Sequence, residues 1–486
     1  MIIKTENSDI QSYLEDTANI SGRAEILYIT ESKKDLIEAV SLCRKNKTPL
    51  TVVAGKTGTT GGCVSYSGAL VSTLGLNKVL NIDQKTSTVT ALAGATIESL
   101  EGKLNQKGLT QRAIPTEPLA TIGGAVSTSA SGVRGYGYGS IRNHVVGLEV
   151  VLSSGEILAI ERGKIFSDIR YFKFNLNSRE YCFKLPTYIM PSVKTQAGYY
   201  VKDNMDLIDL FIGSEGTLGI IYSVTLKVQK LPYKIFDGLI FFSSEEDSLS
   251  FVKTVKSRKK IRLVSPSSLE FFDERTLSFI REDYPWIQDA KSAVYFDQET
   301  LNEEDFDRLL DIWAEIIEQS LALADKTILA DTFDQRRKVF EFRHKIPQKI
   351  NEVLRQTERV KVAADIAVSD DKFDEMYSFY KEQAQLSGID YVNFGHIGEN
   401  HLHFNFLPKD EAENRVARDY LKIFCEKAVS LGGTVSAEHG IGKIKKPYLK
   451  ILYQDKYIKE MVELKKYFDP NCLFGLDNIF DKELLF

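Results

Sequence analysis

The sequence has few cysteines, and no two of its five stand close together. Iron–sulfur clusters, zinc ribbons and redox dithiols need thiolates at short spacing, such as Cys-x-x-Cys. The sequence therefore excludes these motifs, and isolated thiols of this kind are typical of a cytosolic protein whose cysteines stay reduced. The five are Cys43, Cys63, Cys182, Cys425 and Cys472.

The sequence also lacks a long apolar run. No stretch approaches the ~20 apolar residues that cross a bilayer. Residues 1–7 have neither the basic patch nor the apolar segment of a secretory signal. The net charge of −5 gives no sign of a nucleic-acid surface. We therefore expect a cytoplasmic protein without nucleic-acid partners, and peripheral attachment to the inner face of the membrane through a partner stays open.

At 486 residues the chain is too long for one ordinary core, and we expect two or three domains. Helix and strand patterns alternate through the first half, which indicates an α/β or α+β domain. The clearest patterns predict a helix over residues 33–45, a strand over 50–53, a strand over 88–92 and a helix over 97–106. Residues 159–200, rich in aromatic and basic side chains, predict an insertion, and Lys230-Leu231-Pro232 indicates a domain boundary.

Three glycine-rich loops stand out in the first half. Residues 55–62 contain four glycines and three threonines directly after a predicted strand, and residues 121–128 and 213–221 are similarly rich in small side chains. Glycine lets the backbone approach a ligand closely, and successive amides can surround an anion such as a diphosphate. One such loop is equally well an ordinary turn. Three of them predict a groove for a long ligand such as a dinucleotide.

Two familiar nucleotide motifs do not fit these loops. A P-loop needs a glycine five residues before Gly55, and the chain has Leu50 there. Gly135, Gly137 and Gly139 lack the GxGxxG spacing of a Rossmann domain. A nucleotide hydrolase that uses the Gly-Lys-Thr at residues 55–57 is therefore disfavoured.

Histidine is also scarce, and four of the six histidines lie in two short segments. Residues 396–403 hold three of them, and the fourth follows a glutamate in Glu438-His439. Histidine and glutamate are the usual donors for a borderline divalent metal ion. By spacing alone we choose His401 and His403 as ligands, because they share one face of a strand. The alternative is a purely structural histidine cluster.

Together, these segments resemble a known family. Residues 55–62, 121–132, 138–155 and 213–221 resemble the FAD-binding half of the vanillyl-alcohol oxidase and p-cresol methylhydroxylase family. Residues 396–405, 437–440 and 468–470 resemble the C-terminal half of one branch, which contains D-lactate dehydrogenase, the glycolate oxidase FAD subunit and D-2-hydroxyglutarate dehydrogenase. The segments follow the family order from about residue 25 to the end.

The resemblance implies an α+β fold with a two-subdomain FAD-binding domain over residues 1–232 and an α+β substrate domain, the cap, over 233–440. It also implies that residues 441–486 return to the FAD-binding domain. FAD would be held non-covalently, because the first loop has no histidine to tether a flavin. Ser129 stands where the family often has asparagine. The implied FAD-binding residues are Gly55, Lys56, Thr57, Gly58, Thr59, Thr60, Gly61, Thr121, Gly123, Gly124, Ser127, Ser129, Glu215, Gly216, Gly219, Ile220 and Asn478.

The resemblance implies a metal site that differs from the choice made by spacing. Its ligands match His396, His403 and Glu438. His401 stands where the family usually has asparagine. It either supports a ligand without binding the metal or competes as a ligand. Three protein ligands leave positions open for substrate. Zinc is the default ion, and manganese or iron(II) also suit two histidines and one carboxylate. His439 matches the base that takes the proton from the substrate hydroxyl.

A 2-hydroxy acid also carries a carboxylate that needs a cation. Arg343 matches the substrate-binding arginine of the family, and a guanidinium binds a carboxylate through two parallel hydrogen bonds. The alternative is a surface arginine on a charged helix. Asn405 matches a substrate-contacting asparagine. The family also has a substrate-binding lysine, and its position falls on Ala363 in this chain. Lys361 is the nearest lysine that could replace it. The sequence therefore does not decide whether the substrate is a dicarboxylate.

The resemblance thus implies FAD-dependent, metal-assisted oxidation of a D-2-hydroxy acid. D-lactate is the first candidate, followed by glycolate and D-2-hydroxyglutarate. Electrons would pass to an external acceptor or partner subunit, because the sequence has no Rossmann motif for NAD and no dithiol relay. The alternatives are an FAD oxidase or flavin-dependent transferase acting on another substrate, and a non-catalytic FAD subunit of a larger complex. A homodimer stays open.

Overall fold

The computed structural model describes residues 1–176, 179–357 and 361–486. Within these residues, two larger sheets form in the first half of the chain and a third forms in the second half. None of the helices in the described part of the chain is long and apolar enough to cross a membrane. The five cysteines are all free thiols.

The first sheet is mostly parallel and carries the first glycine-rich loop at one strand end. Helix Lys33–Asn46 connects two of its strands and begins with a capping box in which Ser32 and Asp35 bond each other's backbone amides. The strand that leads into the first loop covers residues 50–53, so the predicted helix and strand are both confirmed. The strand order is Ile2–Lys4, Ile26–Ile29, Ala69–Ser72 and Leu50–Val53.

The second sheet is antiparallel and carries the third glycine-rich loop. Its central strand, Ile220–Lys227, begins in the last two residues of that loop and pairs on both sides, so the loop lies near the middle of the sheet edge. Helices Ile97–Asn105 and Ile122–Ser127 belong to this half of the chain, and the second begins in the second loop. The strand order is Val79–Asp83, Thr88–Leu92, Ile220–Lys227, Val145–Val151 and Ile157–Glu161.

The segment predicted as an insertion starts later than expected. Strand Ile157–Glu161 is the edge of the second sheet, so the excursion begins after residue 161. It contains the hairpin strands Tyr171–Leu176 and Arg179–Lys184, which pair antiparallel. Phe183 packs edge-on against Phe468 with ring centroids 5.0 Å apart. The excursion is therefore anchored on the C-terminal helix.

The third sheet carries the histidine-rich segment on a hairpin. Its strands are buried on both faces, because Phe236 and Ile240 enter one hydrophobic core while Leu239 and Phe241 enter the other. Within the described residues its order is Ile328–Ala330, Lys234–Phe242, Ser292–Thr300, Pro266–Phe272, Tyr391–His396, His401–Phe406 and Val362–Ala363. Strand Ile366–Ala367 also pairs with His401–Phe406. The sheet begins two residues after Pro232, and the division of the chain into domains stays a prediction.

Helices cover the third sheet, and the C-terminal segment joins the first sheet. The amide of Leu50 donates to the carbonyl of Leu473 at 2.7 Å, and the amide of Gly475 donates back to Leu50 at 3.0 Å. The longer helices are Glu245–Lys260, Glu303–Glu318, Phe333–Gln356, Phe373–Ser387, Glu411–Ser430, Lys446–Leu452 and Asp455–Phe468. Shorter ones are Asn7–Ile10, Gly135–Tyr138, Ile208–Phe211 and Glu274–Ser278, and strands Leu109–Thr110 and Gln229–Lys230 form a small pair.

Candidate active site

The three glycine-rich loops line one cavity of about 350 Å³. This volume lies within the range of about 300–1,000 Å³ that small-molecule and cofactor sites occupy. Glycine and threonine residues form much of the wall, which suits a ligand that needs close backbone amides. The implied FAD-binding residues on the wall are Gly55, Lys56, Thr57, Gly58, Thr59, Thr60, Thr121, Gly123, Gly124, Ser127, Glu215, Gly216, Gly219, Ile220 and Asn478.

Two implied FAD-binding residues, Gly61 and Ser129, are not among the described residues that line the cavity. The amide of Gly61 donates to Asp16 Oδ2 at 3.1 Å, and Ser129 is fully buried with its Oγ 3.3 Å from Ser140 Oγ. Both therefore support the loops from behind. Residues 115–117 and Ser131 also line the wall and were not predicted, because they lie outside the three glycine-rich loops.

Glycine is required at two of these positions for a reason that the sequence did not indicate. A Cβ atom on Gly55 would lie 2.5 Å from the carbonyl oxygen of Leu119, and one on Gly219 would lie 2.5 Å from Val150 Cγ1. In both cases the obstruction is the protein itself. These glycines therefore let two loops on the cavity wall pack tightly against the rest of the chain.

Asn478 ties the C-terminal segment to two of the loops. Its Nδ2 donates to the carbonyl of Gly62 at 2.8 Å and to the carbonyl of Glu215 at 3.1 Å. Its Oδ1 accepts a hydrogen bond from Lys443 Nζ at 2.6 Å. The amide thus fixes the first and third loops relative to each other on the wall of the cavity.

The histidine-rich segment forms a compact cluster with Glu438. Strands Tyr391–His396 and His401–Phe406 pair antiparallel, and their register places His396 opposite His401. One side-chain donor atom from each of His396, His401, His403 and Glu438 lies within 4.8 Å of the others. Donors on opposite sides of a metal ion with bonds of ~2.1 Å stand ~4 Å apart, so the set fits a divalent ion after a small adjustment.

Buried carboxylates hold two of these imidazoles in place. His396 Nδ1 lies 3.0 Å from Glu270 Oε1, and His401 Nε2 lies 2.8 Å from Asp365 Oδ1. Carboxylates that hold the outer nitrogen of a metal-binding histidine are a common feature of metal sites. Glu270 and Asp365 were not predicted. In the sequence each is marked only as an acidic residue with apolar neighbours, as in Leu269-Glu270-Phe271-Phe272.

The electrostatics of the cluster suit a cation. Burial would raise the pKa of the Glu438 carboxyl, but the ammonium of Lys194 and the ring of His396 hold that pKa well below its usual range. Burial and the neighbouring histidines hold the pKa of His403 well below its usual range, which keeps this imidazole neutral. Burial would lower the pKa of His396, but Glu438 and Glu270 raise it to about 9. A metal ion therefore competes with a proton at His396.

His439 faces the glycine-lined cavity next to the cluster. Its side chain is 34 % exposed, its Nδ1 lies 3.4 Å from Asp365 Oδ2, and its ring stacks on that of His403 at 5.6 Å. Glu438 and His439 both line the cavity. The structure therefore brings the cluster and the glycine-rich loops together at two consecutive residues.

The three implied substrate-binding residues lie outside the wall of that cavity, as far as the described residues define it. Arg343 binds Glu270 through Nε at 2.6 Å and Nη2 at 2.9 Å, so it adjoins the cluster through the carboxylate that holds His396. Asn405 is buried on the histidine strand, and its Nδ2 donates to the carbonyl of His403 at 2.8 Å. Lys361 is exposed, directly after residues 358–360, which lie outside the described part of the chain.

Two family models match this chain in the predicted order. The FAD binding domain matches residues 24–161, and the C-terminal domain of FAD linked oxidases matches residues 237–475. The first match contains the first two glycine-rich loops, and the second contains the histidine cluster and Glu438.

Curated relatives match almost the whole chain. A D-lactate dehydrogenase from Anaerostipes hadrus is 28% identical and covers 96% of this chain and 92% of its own. A glycolate oxidase subunit from Bacillus subtilis is 28% identical and covers 92% of this chain and 87% of its own. A D-2-hydroxyglutarate dehydrogenase from Stutzerimonas stutzeri is 25% identical, with 98% and 96% covered.

Solved structures share the fold at lower identity. The 4-ethylphenol oxidase from Gulosibacter chungangensis superposes with a TM-score of 0.70 at 15% identity, covering 99% of this chain and 95% of its own. An alkyldihydroxyacetonephosphate synthase superposes with a TM-score of 0.68 at 15% identity, with 97% and 81% covered. The family matches, the full-length relatives and this shared fold confirm the resemblance: the chain belongs to the FAD-linked oxidases of the vanillyl-alcohol oxidase and p-cresol methylhydroxylase family, and is an FAD-linked oxidoreductase with an α+β fold.

Proposed function

We propose that the protein oxidises a D-2-hydroxy acid to the corresponding 2-oxo acid, with FAD as oxidant and a divalent metal ion at the histidine cluster. One observation carries the proposal. Glu438 belongs to the cluster and also lines the glycine-lined cavity, and His439 follows it on the same wall. A substrate held at the cluster would therefore lie next to both the proposed base, His439, and the glycine-lined cavity proposed to hold FAD.

The names of the relatives support a substrate class. D-lactate, glycolate and D-2-hydroxyglutarate all carry a hydroxyl group on the carbon next to a carboxylate. The shared chemistry is thus the oxidation of that hydroxyl group to a carbonyl. We take D-lactate as the first candidate within the class, with glycolate and D-2-hydroxyglutarate next.

His439 is the proposed general base. FAD supplies the two-electron oxidant when it is bound, and a divalent ion supplies a Lewis acid that lowers the pKa of the substrate hydroxyl. An Nδ1–H directed at Asp365 leaves the lone pair of His439 on Nε2, where it can accept the hydroxyl proton. Asp365 is itself fixed by the amide of His439 at 3.1 Å and by Lys445 Nζ. The base is therefore positioned before substrate binds.

Arg343 is the proposed anchor for the substrate carboxylate. Its two bonds to Glu270 use Nε and Nη2, so Nη1 is engaged in neither of them. His396, His403 and Glu438 are the proposed metal ligands of the family type, with Asn405 beside His403, and zinc, manganese and iron(II) all suit them. Lys361 is a weaker candidate for a substrate contact, because its side chain is exposed, whereas Arg343 and Asn405 both adjoin the histidine cluster.

Electrons are proposed to leave for an external acceptor. One relative is named as a subunit of glycolate oxidase, which supports an electron-accepting partner subunit. The five cysteines of this chain are separate free thiols and form no relay of their own.

The direct test is anaerobic flavin reduction. Purified protein reconstituted with FAD and a divalent ion is mixed with D- and L-forms of lactate, 2-hydroxyglutarate and other 2-hydroxy acids, and with glycolate. We expect one acid of the class to bleach the flavin absorbance, with the D-form preferred where the acid is chiral. A flavin that stays oxidised with every acid in metal-replete protein would refute the proposal.

Replacing the proposed base separates chemistry from binding. In His439→Ala we expect FAD and metal content to stay unchanged while flavin reduction slows by about 10²–10⁴-fold, the usual contribution of a general base. His344→Ala on helix Phe333–Gln356 is the matched control and should reduce flavin at the wild-type rate. A wild-type rate in His439→Ala would remove this residue from the mechanism.

A further inference from the structure

We propose that His401 is a fourth protein ligand, so that the metal centre of this chain has three imidazoles and one carboxylate. The inference rests on the metal centre of the proposed function and extends it. A ligand set of two histidines and one glutamate leaves His401 without a role, although its side chain is fully buried in the cluster.

His401 and His396 are held in the same way. Each imidazole has one nitrogen next to a buried carboxylate, Asp365 at 2.8 Å and Glu270 at 3.0 Å respectively. Each directs its other nitrogen toward the same oxygen, Glu438 Oε2, at 3.9 Å for His401 Nδ1 and 3.4 Å for His396 Nε2. If this arrangement makes His396 a ligand, it makes His401 a ligand as well.

The two carboxylate oxygens of Glu438 have different partners. Oε1 accepts hydrogen bonds from Ser131 Oγ at 2.6 Å and from Lys194 Nζ. Oε2 is the oxygen that faces the imidazoles of His396 and His401. One oxygen is thus occupied by the protein, and the other points to the space between the rings, as expected for a carboxylate that binds a metal through one oxygen.

The nitrogens of His401 also need a partner. Nδ1 has no hydrogen-bond partner, and Nε2 lies close to Asp365 Oδ1 at 2.8 Å but without the angle of a good hydrogen bond, although the ring is completely buried. An unpaired buried polar nitrogen costs about 1–3 kcal/mol, and native proteins rarely leave one. A metal ion at Nδ1 would remove this cost, and the nearby Asp365 would accept the proton on Nε2.

A fourth ligand changes which ions suit the site. Zinc with four protein ligands is typically tetrahedral and closed, whereas catalytic zinc keeps three protein ligands and an open position. A centre that uses His401 and still binds a hydroxy acid therefore needs five or six coordination positions. Manganese and iron(II) accept such a number of oxygen and nitrogen donors readily.

The test compares metal binding in three variants of the full-length protein with FAD bound. His401→Asn removes the proposed ligand, His403→Ala removes a ligand of the three-residue set, and His344→Ala is the control. Mn²⁺ affinity is measured by competition with a chelator, and the visible spectrum of the Co²⁺-loaded protein reports coordination number. FAD content and melting temperature of the metal-free proteins check that each variant folds.

For His401→Asn we expect Mn²⁺ affinity to fall by more than about 100-fold, beyond the usual effect of an outer group. We also expect Co²⁺-loaded wild type to show the weak absorption of a five- or six-coordinate ion, and His401→Asn to show a different spectrum. Unchanged affinity and spectrum in His401→Asn, together with a loss in His403→Ala, would overturn this inference and leave the proposed function intact. Failure of wild type to reduce its flavin with any acid would instead refute the proposed function.

Discussion

Glu270 links two functions through one buried side chain. It accepts two hydrogen bonds from Arg343 and contacts His396 Nδ1 with the same carboxylate. Burial would raise its pKa, but the charge of Arg343 and the hydrogen bond of His396 hold the pKa well below the usual range. The carboxylate therefore stays ionised, and it couples the proposed anchor for substrate to the proposed metal ligand.

Arg343→Lys tests this coupling at the scale of one residue. A lysine ammonium cannot reproduce the two parallel hydrogen bonds to Glu270 and also hold a donor at the position of Nη1, which is proposed to bind the substrate. We expect KM for the hydroxy acid to rise by about 10–100-fold, equivalent to a lost charge-assisted bond of about 1.5–3 kcal/mol, with FAD content unchanged. Steady-state kinetics with an artificial electron acceptor provide the measurement.

Arg337→Ala on the same helix is the control for this prediction. Its side chain is 57 % exposed and pairs at 3.6 Å with Asp334, one turn away. The control should keep the wild-type KM. An unchanged KM in Arg343→Lys would place the substrate carboxylate elsewhere.

At the scale of elements, helix Asp455–Phe468 fastens the C-terminal segment to the third glycine-rich loop. Lys465 on this helix is completely buried and pairs with Asp469 at 2.8 Å. Its Nζ also donates to the carbonyls of Thr217 and Phe474, both at 2.9 Å. One ammonium therefore joins the helix, the loop and the final segment.

Lys465→Met should loosen all three elements together. Removing one partner of a buried ion pair leaves an uncompensated charge and typically costs about 3–5 kcal/mol. We expect the free energy of unfolding to fall by this amount in denaturant titrations of the FAD-free protein. Lys459→Met on the exposed face of the same helix should change it by less than about 0.5 kcal/mol. Equal free energies of unfolding for the two variants would contradict the proposal that Lys465 holds these three elements together.

At the scale of the whole molecule, the segment after His439 brings the two family domains together. The amide of Lys443 donates to the carbonyl of Thr60 in the first loop at 2.8 Å. Gly442 has a φ of +50°, and a Cβ atom there would lie 2.2 Å from that carbonyl oxygen. The segment that carries His439, the proposed base, and the first glycine-rich loop thus meet where only a glycine fits.

Gly442→Ala should therefore weaken FAD binding. Strain and crowding of about 1–3 kcal/mol at this contact correspond to a loss of about 10–100-fold in FAD affinity, measured by titration of flavin fluorescence. Gly432→Ala is the matched control, because Gly432 has a φ of +75° with open space around its Cβ position. It should keep FAD affinity. The same loss in both variants would assign the effect to backbone strain alone.

Local sequence patterns were sufficient to predict the glycine-rich loops and the strand that carries His401 and His403. The strand over residues 50–53 and the loop after it could be predicted because a short apolar run followed by glycines has one common structural outcome. Spacing alone also placed His401 and His403 on one strand, which the structure confirms. The carboxylates Glu270 and Asp365 could not be predicted, since each reaches the cluster from a strand or loop with no recurring pattern.

The family, the cofactor class and the donor types of the cluster could be predicted from the sequence alone, because each is signalled by short local segments that keep a fixed order along the chain. The pairing of each carboxylate with its imidazole, and the position of Glu438 between the cluster and the glycine-lined cavity, became visible in the three-dimensional structure alone. Those contacts join residues far apart in sequence. Their geometry is set by the packing of the sheets, which no local spacing encodes.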